Sequence, residues 1–171
     1  MTISMHQALV PPALQMLSAL AAVLEKAEAS AAARKIEPGV LLQSRLYPDM
    51  FPLVRQVQVA TDAVKGGAAR LAGVPVPSWP DIEASFEDLQ ARLKKAMDYL
   101  KSFKPAQIDG SEERAISFTA GSRQMNFKGQ GYLLGWVFPN FYFHVTTAYA
   151  ILRHNGVDLG KRDFLGAVPV V

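Results

Sequence analysis

The side chains best suited to proton transfer or metal ligation are three histidines, His6, His144 and His154, in a chain of 171 residues. The last two fall in one helical stretch. Ten residues of α-helix advance roughly 15 Å and leave their side chains about 80° apart, so one ion cannot touch both. A three-imidazole centre would need His6 to approach one of them and a further ligand from elsewhere. His144 follows the run Pro139-Asn140-Phe141-Tyr142-Phe143, so aromatic that much of it must be buried or packed against a partner. Asn140 lies four residues before His144, on the same helical face and one turn away. An amide oxygen and an imidazole at that spacing suit a water, a small ligand or a weakly bound divalent metal. Alternatively, His144 donates to a backbone carbonyl or a hydroxyl and simply fills the core. His154, in Leu152-Arg153-His154-Asn155-Gly156, reads as a helix-end residue, where a cation complements the helix dipole.

Gln56 and Gln58 flank Val57, a position on an apolar stripe, and Asp62 follows Gln58 by four residues. These polar groups either turn inward to form part of a pocket or face solvent. Glu112-Glu113 is a carboxylate pair with no histidine nearby in sequence, and reads as a solvated loop. Gly66-Gly67 lies inside a helical pattern and lacks the spacing of a phosphate-cradling loop. No HExxH or Gly-x-Ser-x-Gly pattern occurs, and Gly121-Ser122 is a turn signal rather than a nucleophile elbow.

Composition narrows the classes further. Lys and Arg total 18 against 15 Asp and Glu, a formal charge of +3. The basic residues are dispersed, without the cationic block of a nucleic-acid or membrane surface. Absence of cysteine removes thiolate catalysis, disulfides and cysteine zinc sites, and suits a cytoplasmic protein. The apolar run from Ala8 to Leu24, interrupted by Pro11, Pro12, Gln15 and Ser18, reads as too short to span a membrane.

Four segments position these residues. Apolar side chains recur at helical steps in Val10, Leu14, Leu17, Ala21 and Leu24. They recur again in Met50, Leu53, Val57, Ala60, Val64, Ala68 and Leu71. Pro48 suits the first turn of that second helix, and Gly73 its end. A third stripe runs through Ile82, Phe86, Leu89, Leu93, Ala96, Leu100 and Phe103, with Ser78 and Asp81 as a capping-box start. The fourth holds Leu134, Val137, Phe141, Val145, Ala148 and Leu152, closed by Gly156, with a kink expected at Pro139. Between the third and fourth, Ile116 and Phe118, then Met125 and Phe127, alternate with polar residues about Ala120-Gly121-Ser122-Arg123, which predicts a β-hairpin. Glu28 to Tyr47 is expected to hold short helical pieces broken at Pro38-Gly39. The expected fold is all-α: one domain over residues 1–171, a four-helix bundle with a small hairpin inserted between its third and fourth long helices.

Several blocks together carry a resemblance. They are Arg45-Leu46-Tyr47-Pro48-Asp49-Met50-Phe51-Pro52-Leu53 continuing to Gln56-Val57-Gln58; Arg70-Leu71-Ala72-Gly73; Pro139 to Tyr149; and Leu152-Arg153-His154-Asn155-Gly156 with Gly160 to Gly166. In these the chain resembles a bacterial family of unknown function within the DinB/YfiT-like metalloenzyme superfamily. That resemblance implies a bundle with a three-histidine divalent-metal site, one ligand from the second helix and two from the last. It also implies, for some members, thiol-linked transfer or isomerisation. Here His144 falls at one of the paired positions, Asn140 at the other, and Gln56 is nearest to the second-helix ligand. Two amides thus stand where imidazoles would be, and amide oxygens are poor zinc or nickel ligands without an anionic partner. The expectation is therefore a non-catalytic or small-molecule-binding bundle with a degenerate metal site, no resident cofactor beyond a weakly held divalent ion, and homodimeric assembly. The alternative is a divalent-metal-dependent, thiol-linked transferase or isomerase.

Overall fold

The computed structural model describes residues 2–168. Its long helices are α1 (Met5–Ala33), α3 (Leu53–Ala72), α4 (Phe86–Lys101) and α7 (Phe138–His154); short helices α2 (Pro38–Leu42), α5 (Pro105–Ile108), α6 (Gly129–Tyr132) and α8 (Lys161–Leu165) link or close them. The stripes expected from sequence form the core: Leu17 and Leu24, then Val57, Ala60, Val64 and Leu71, then Leu89, Leu93 and Leu100, and finally Phe141, Ala148 and Leu152 are all sealed from solvent. Helix α3 packs on both α7 and α4, while α1 packs on α4 and α8. Gly67 sets the approach of α3 to the turn of chain, residues Leu133–Val137, that leads into α7, since a Cβ there would lie 2.9 Å from Cγ1 of Val137.

Helix α1 is longer than its proline-interrupted run suggested. It starts at a capping box of Ser4 and Gln7 and carries Pro11 and Pro12 internally. By length and composition it is long enough to cross a membrane. Its Leu9, Leu17, Leu20 and Leu24 face the common core, however, and that burial accounts for its apolar character.

Two helix starts differ from the sequence expectation. Helix α3 begins at Leu53, after Pro52, and the Pro48 segment is a turn closed by Met50 N–H donating to the Tyr47 carbonyl at 3.0 Å. Helix α4 is capped by Ser85, whose Oγ accepts from Asp88 N–H at 3.0 Å while Asp88 Oδ2 accepts from Ser85 N–H at 3.0 Å. The Ser78/Asp81 start is thus displaced by seven residues (78 to 85). Pro75, Pro77 and Pro80 hold that stretch out of helix, Asp81 is drawn to arginines, and Ile82 is left 79% exposed. Pro38, expected as a breaker, instead occupies the first turn of α2.

The hairpin forms as β1 (Ala115–Ala120) and β2 (Arg123–Lys128), antiparallel, with Ile116 opposite Phe127 and Phe118 opposite Met125. Gly121, at φ +59°, takes the first position of the two-residue turn, a conformation that glycine adopts without strain. The inward face of the hairpin stacks Phe118 and Phe127 against Tyr132 and Trp136.

Candidate functional site

Of the three side chains singled out by sequence, two meet. Gln56, in the first turn of α3, and His144, mid-way along α7, lie across the α3–α7 interface, and the Gln56 Oε1 and His144 Nδ1 atoms are 2.7 Å apart. Gln56 is 1% exposed and His144 9%. The Gln56 amide is oriented by its other end, because Nε2 donates to the Phe51 carbonyl at 2.9 Å. Its oxygen must then accept, so Nδ1 of His144 carries the proton and Nε2 carries the lone pair. Nε2 has no hydrogen-bond partner among the described residues. The only unpartnered polar side-chain atom sealed from solvent there is Ser111 Oγ, so Nε2 keeps some contact with solvent. Burial holds the His144 imidazole below its ordinary pKa, and the nearby Arg55 guanidinium pushes it the same way. The ring is therefore a neutral acceptor at physiological pH.

Asn140 does not join them. Its Nδ2 donates to the Trp136 carbonyl at 2.7 Å, four residues back on its own helix. The cause is local. Pro139 cannot donate a backbone hydrogen bond, and residues Leu133–Val137 wind as a π-helical turn, with Phe138 N–H reaching the Leu133 carbonyl. This is irregular backbone near Pro139, but the missing proline donor would have served the carbonyl of Gly135, so the Asn140 contact is an amide bonding back to the carbonyl four residues earlier on its own helix. His6 is also elsewhere, its Nε2 3.1 Å from the Phe103 carbonyl and its backbone N–H donating to Asp109 at 2.8 Å. His154 is the exposed last residue of α7, beyond which Gly156 and Val157 donate to the Arg153 and Leu152 carbonyls. Among the described residues, no three His, Asp or Glu side chains are grouped to share an ion.

Beside the His144 position lies a shallow groove of about 410 Å³, lined by Leu46, Pro139, Tyr142, Phe143 and Thr147 among others. Phe143 stands edge-on to the His144 ring, with centroids 5.2 Å apart. The groove occupies the neighbouring face of α7 and is apolar and aromatic apart from Thr146 and Thr147, and His144 is not among its lining residues.

A second polar centre was only half visible in the sequence. Gln58 and Asp62 do turn inward, and they meet Arg92 of α4, which is 4% exposed. Arg92 donates to Thr61 Oγ1 at 2.8 Å, Glu83 Oε1 at 2.9 Å and Asp62 Oδ1 at 3.1 Å, and lies 3.1 Å from Asp81 Oδ1. Gln58 Nε2 donates to Glu83 Oε2 at 2.8 Å, Lys65 pairs with Asp62 at 2.6 Å, and Arg55 pairs with Asp81. Three cations thus balance three carboxylates. The network ties the extended stretch before α4 to α3, and through Arg55 it borders the Gln56–His144 pair. An arginine abutting the α4 stripe, with Asp81 and Glu83 just upstream, was the available signal.

The polar residues at this interface belong to the blocks on which the sequence resemblance rests. A family model described as a domain of unknown function, DUF1993, matches residues 5–165. The chain belongs to the DUF1993 family. A crystal structure of a DinB family member from Shewanella denitrificans is similar to it, at 39% identity over 97% of this chain and 94% of that one, with a TM-score of 0.88. No curated protein matches the sequence. The expected place of this DUF1993 chain, a family of unknown function within the DinB-like superfamily, is borne out.

Proposed function

We propose that this DUF1993 protein is a non-catalytic, cytoplasmic four-helix bundle that binds a small molecule at the α3–α7 interface. His144 Nε2 would accept a hydrogen bond from the ligand's hydroxyl, amide or thiol. One observation carries the reading: both ends of the Gln56 amide are spent, on Phe51 and on His144. Gln56 orients the imidazole and fixes its tautomer, and one nitrogen remains for a guest. The edge-on ring of Phe143, its centroid 5.2 Å from that of His144, supplies apolar contact beside that nitrogen.

The divalent ion implied by the superfamily does not fit these donors. A proton lies on the line between Gln56 Oε1 and His144 Nδ1, Asn140 is turned to the Trp136 carbonyl, and no carboxylate joins them. A single imidazole is a weak site for zinc or nickel. Metal analysis of the purified, untagged protein, with native mass spectrometry, tests the reading. The expected result is substoichiometric metal and a co-purifying organic ligand that is lost in His144→Phe. Stoichiometric zinc, nickel or iron that disappears in His144→Ala would overturn it and favour a metal-dependent, thiol-linked transferase or isomerase.

A further inference from the structure

At the opposite end of α3 from Gln56, about 21 Å along the helix axis, a second pocket of about 240 Å³ is lined by Arg70, Gly73, Arg114 and residues 115–117 of β1. Neither arginine has a carboxylate within ion-pair distance among the described residues, although Glu113, next to Arg114, pairs with Lys128 at 2.5 Å. Both guanidinium groups are accommodated by missing side chains. A Cβ on Gly66 would lie 2.6 Å from NH1 of Arg70, and one on Gly73 would lie 1.9 Å from NH1 of Arg114. Arg70 is held further by Phe118, whose ring centre lies 4.3 Å from its Cζ, and by its hydrogen bond to the Tyr132 hydroxyl at 3.0 Å. Burial pushes the Tyr132 phenol up, so it accepts as a neutral hydroxyl and supplies no counter-charge.

We propose that Arg70 and Arg114 form a binding site for a compact oxyanion, the carboxylate or phosphate group of a small molecule, at the carboxyl end of α3. The guanidinium fork matches such groups in shape and charge, and Arg70 keeps its Nε and second terminal nitrogen uncommitted after serving Tyr132. The helix dipole opposes an anion here, but it amounts to about half a charge against two guanidinium charges. Two of the last-turn carbonyls of α3 are also already capped, with Gly73 N–H donating to the Arg70 carbonyl at 3.1 Å and Val74 N–H to that of Ala69 at 2.9 Å. Ser117, also on the rim, spends its hydroxyl on Asn126 at 2.8 Å and accepts from Gln124 at 2.6 Å, so recognition falls to the arginines.

Isothermal titration of the full chain with inorganic phosphate, and separately with succinate, at constant ionic strength tests this. Saturable binding of either probe is expected, and whichever binds identifies the group as phosphate or carboxylate. Arg114→Gln, at an exposed position, should weaken binding about tenfold, the loss of one charge-assisted contact. Arg70→Lys, which keeps the charge and loses the fork, should weaken it as well. Arg123→Gln removes the same charge from the exposed start of β2 and should leave binding unchanged. The absence of saturable binding with both probes would overturn the proposal. So would equal weakening by Arg123→Gln and Arg114→Gln.

Discussion

Replacing Gln56 by glutamate reverses the pH dependence that His144 imposes on stability. In the native protein the imidazole is neutral, and its pKa is held below the ordinary 6.5 by burial and by Arg55. Between that lowered value and the unfolded value, the unfolded chain binds more protons, so stability rises with pH across the window and is fully present above it. One proton changes stability by at most about 1.4 kcal/mol per pH unit. At about 2–4 °C per kcal/mol for a chain of this size, the Tm fall that His144 contributes on acidification through the window is at most about 3–6 °C per pH unit. In Gln56→Glu a carboxylate faces Nδ1 across the 2.7 Å contact and favours the imidazolium. The folded pKa is then raised, the added stability is present below the unfolded pKa, and it is lost as pH rises through the folded one. The assay is the Tm of wild type, Gln56→Glu and His144→Gln from pH 5 to 8. The His144→Gln curve is subtracted to remove other titrating groups, because the substituted amide still donates to Gln56 but does not titrate. Imidazole proton shifts in NMR follow the same event directly. If wild type and Gln56→Glu give the same slope after subtraction, the assignment of Nδ1 as donor to Gln56 is refuted.

Arg92→Ala should cost about 3 kcal/mol in urea denaturation, the lower end of the range for removing one partner of a buried ion pair. Asp62 and Asp81, at 35% and 34% side-chain exposure, can relax into solvent, whereas Glu83 at 10% is stranded. Adding Glu83→Gln should recover part of that loss, and no recovery would count against the network. Gly67→Ala places a methyl 2.9 Å from Val137 and should destabilise by about 1–3 kcal/mol; an unchanged denaturation midpoint would show that α3 and the turn leading into α7 have room to spare. Self-association is expected through the groove face bearing Tyr142 and Phe143, the latter 55% exposed. Size exclusion with light scattering at micromolar concentration should give a dimer, and Phe143→Ser a monomer; a monomeric wild type refutes it.

The four apolar stripes were legible because helical spacing and burial are one requirement seen twice: Val57, Ala60, Val64 and Leu71 could not alternate at steps of three and four without a core to face. The hairpin was equally plain, since Gly121 between two alternating runs leaves few other conformations. The helix starts were harder to read. Ser78 with Asp81 and Ser85 with Asp88 offer the same cap chemistry at the same spacing. What separates them is in part local, the prolines Pro75, Pro77 and Pro80, and in part a long-range event, the capture of Asp81 by Arg55 and Arg92, that no local pattern encodes. The apolar tail Ala167 to Val171 is a second surface that the sequence offers for dimerisation, and its residues 169–171 lie outside the described residues.

The candidate site divides along the same line. Asn140 and His144 share a helical face by spacing alone, yet spacing says nothing of competing demands on an amide. The Asn140 amide bonds back to the Trp136 carbonyl one turn earlier on its own helix and is spent there. Gln56 carries one more methylene and follows a non-helical Phe51-Pro52 step. Its nitrogen can therefore turn back to Phe51 while its oxygen spans to His144. Two amides that looked alike in the sequence thus have different work: one bonds back to its own helix, and the other holds an imidazole in a single tautomer. Substituting Asn140 should therefore disturb the helix entry and leave the His144 titration in place, whereas substituting Gln56 should move that titration.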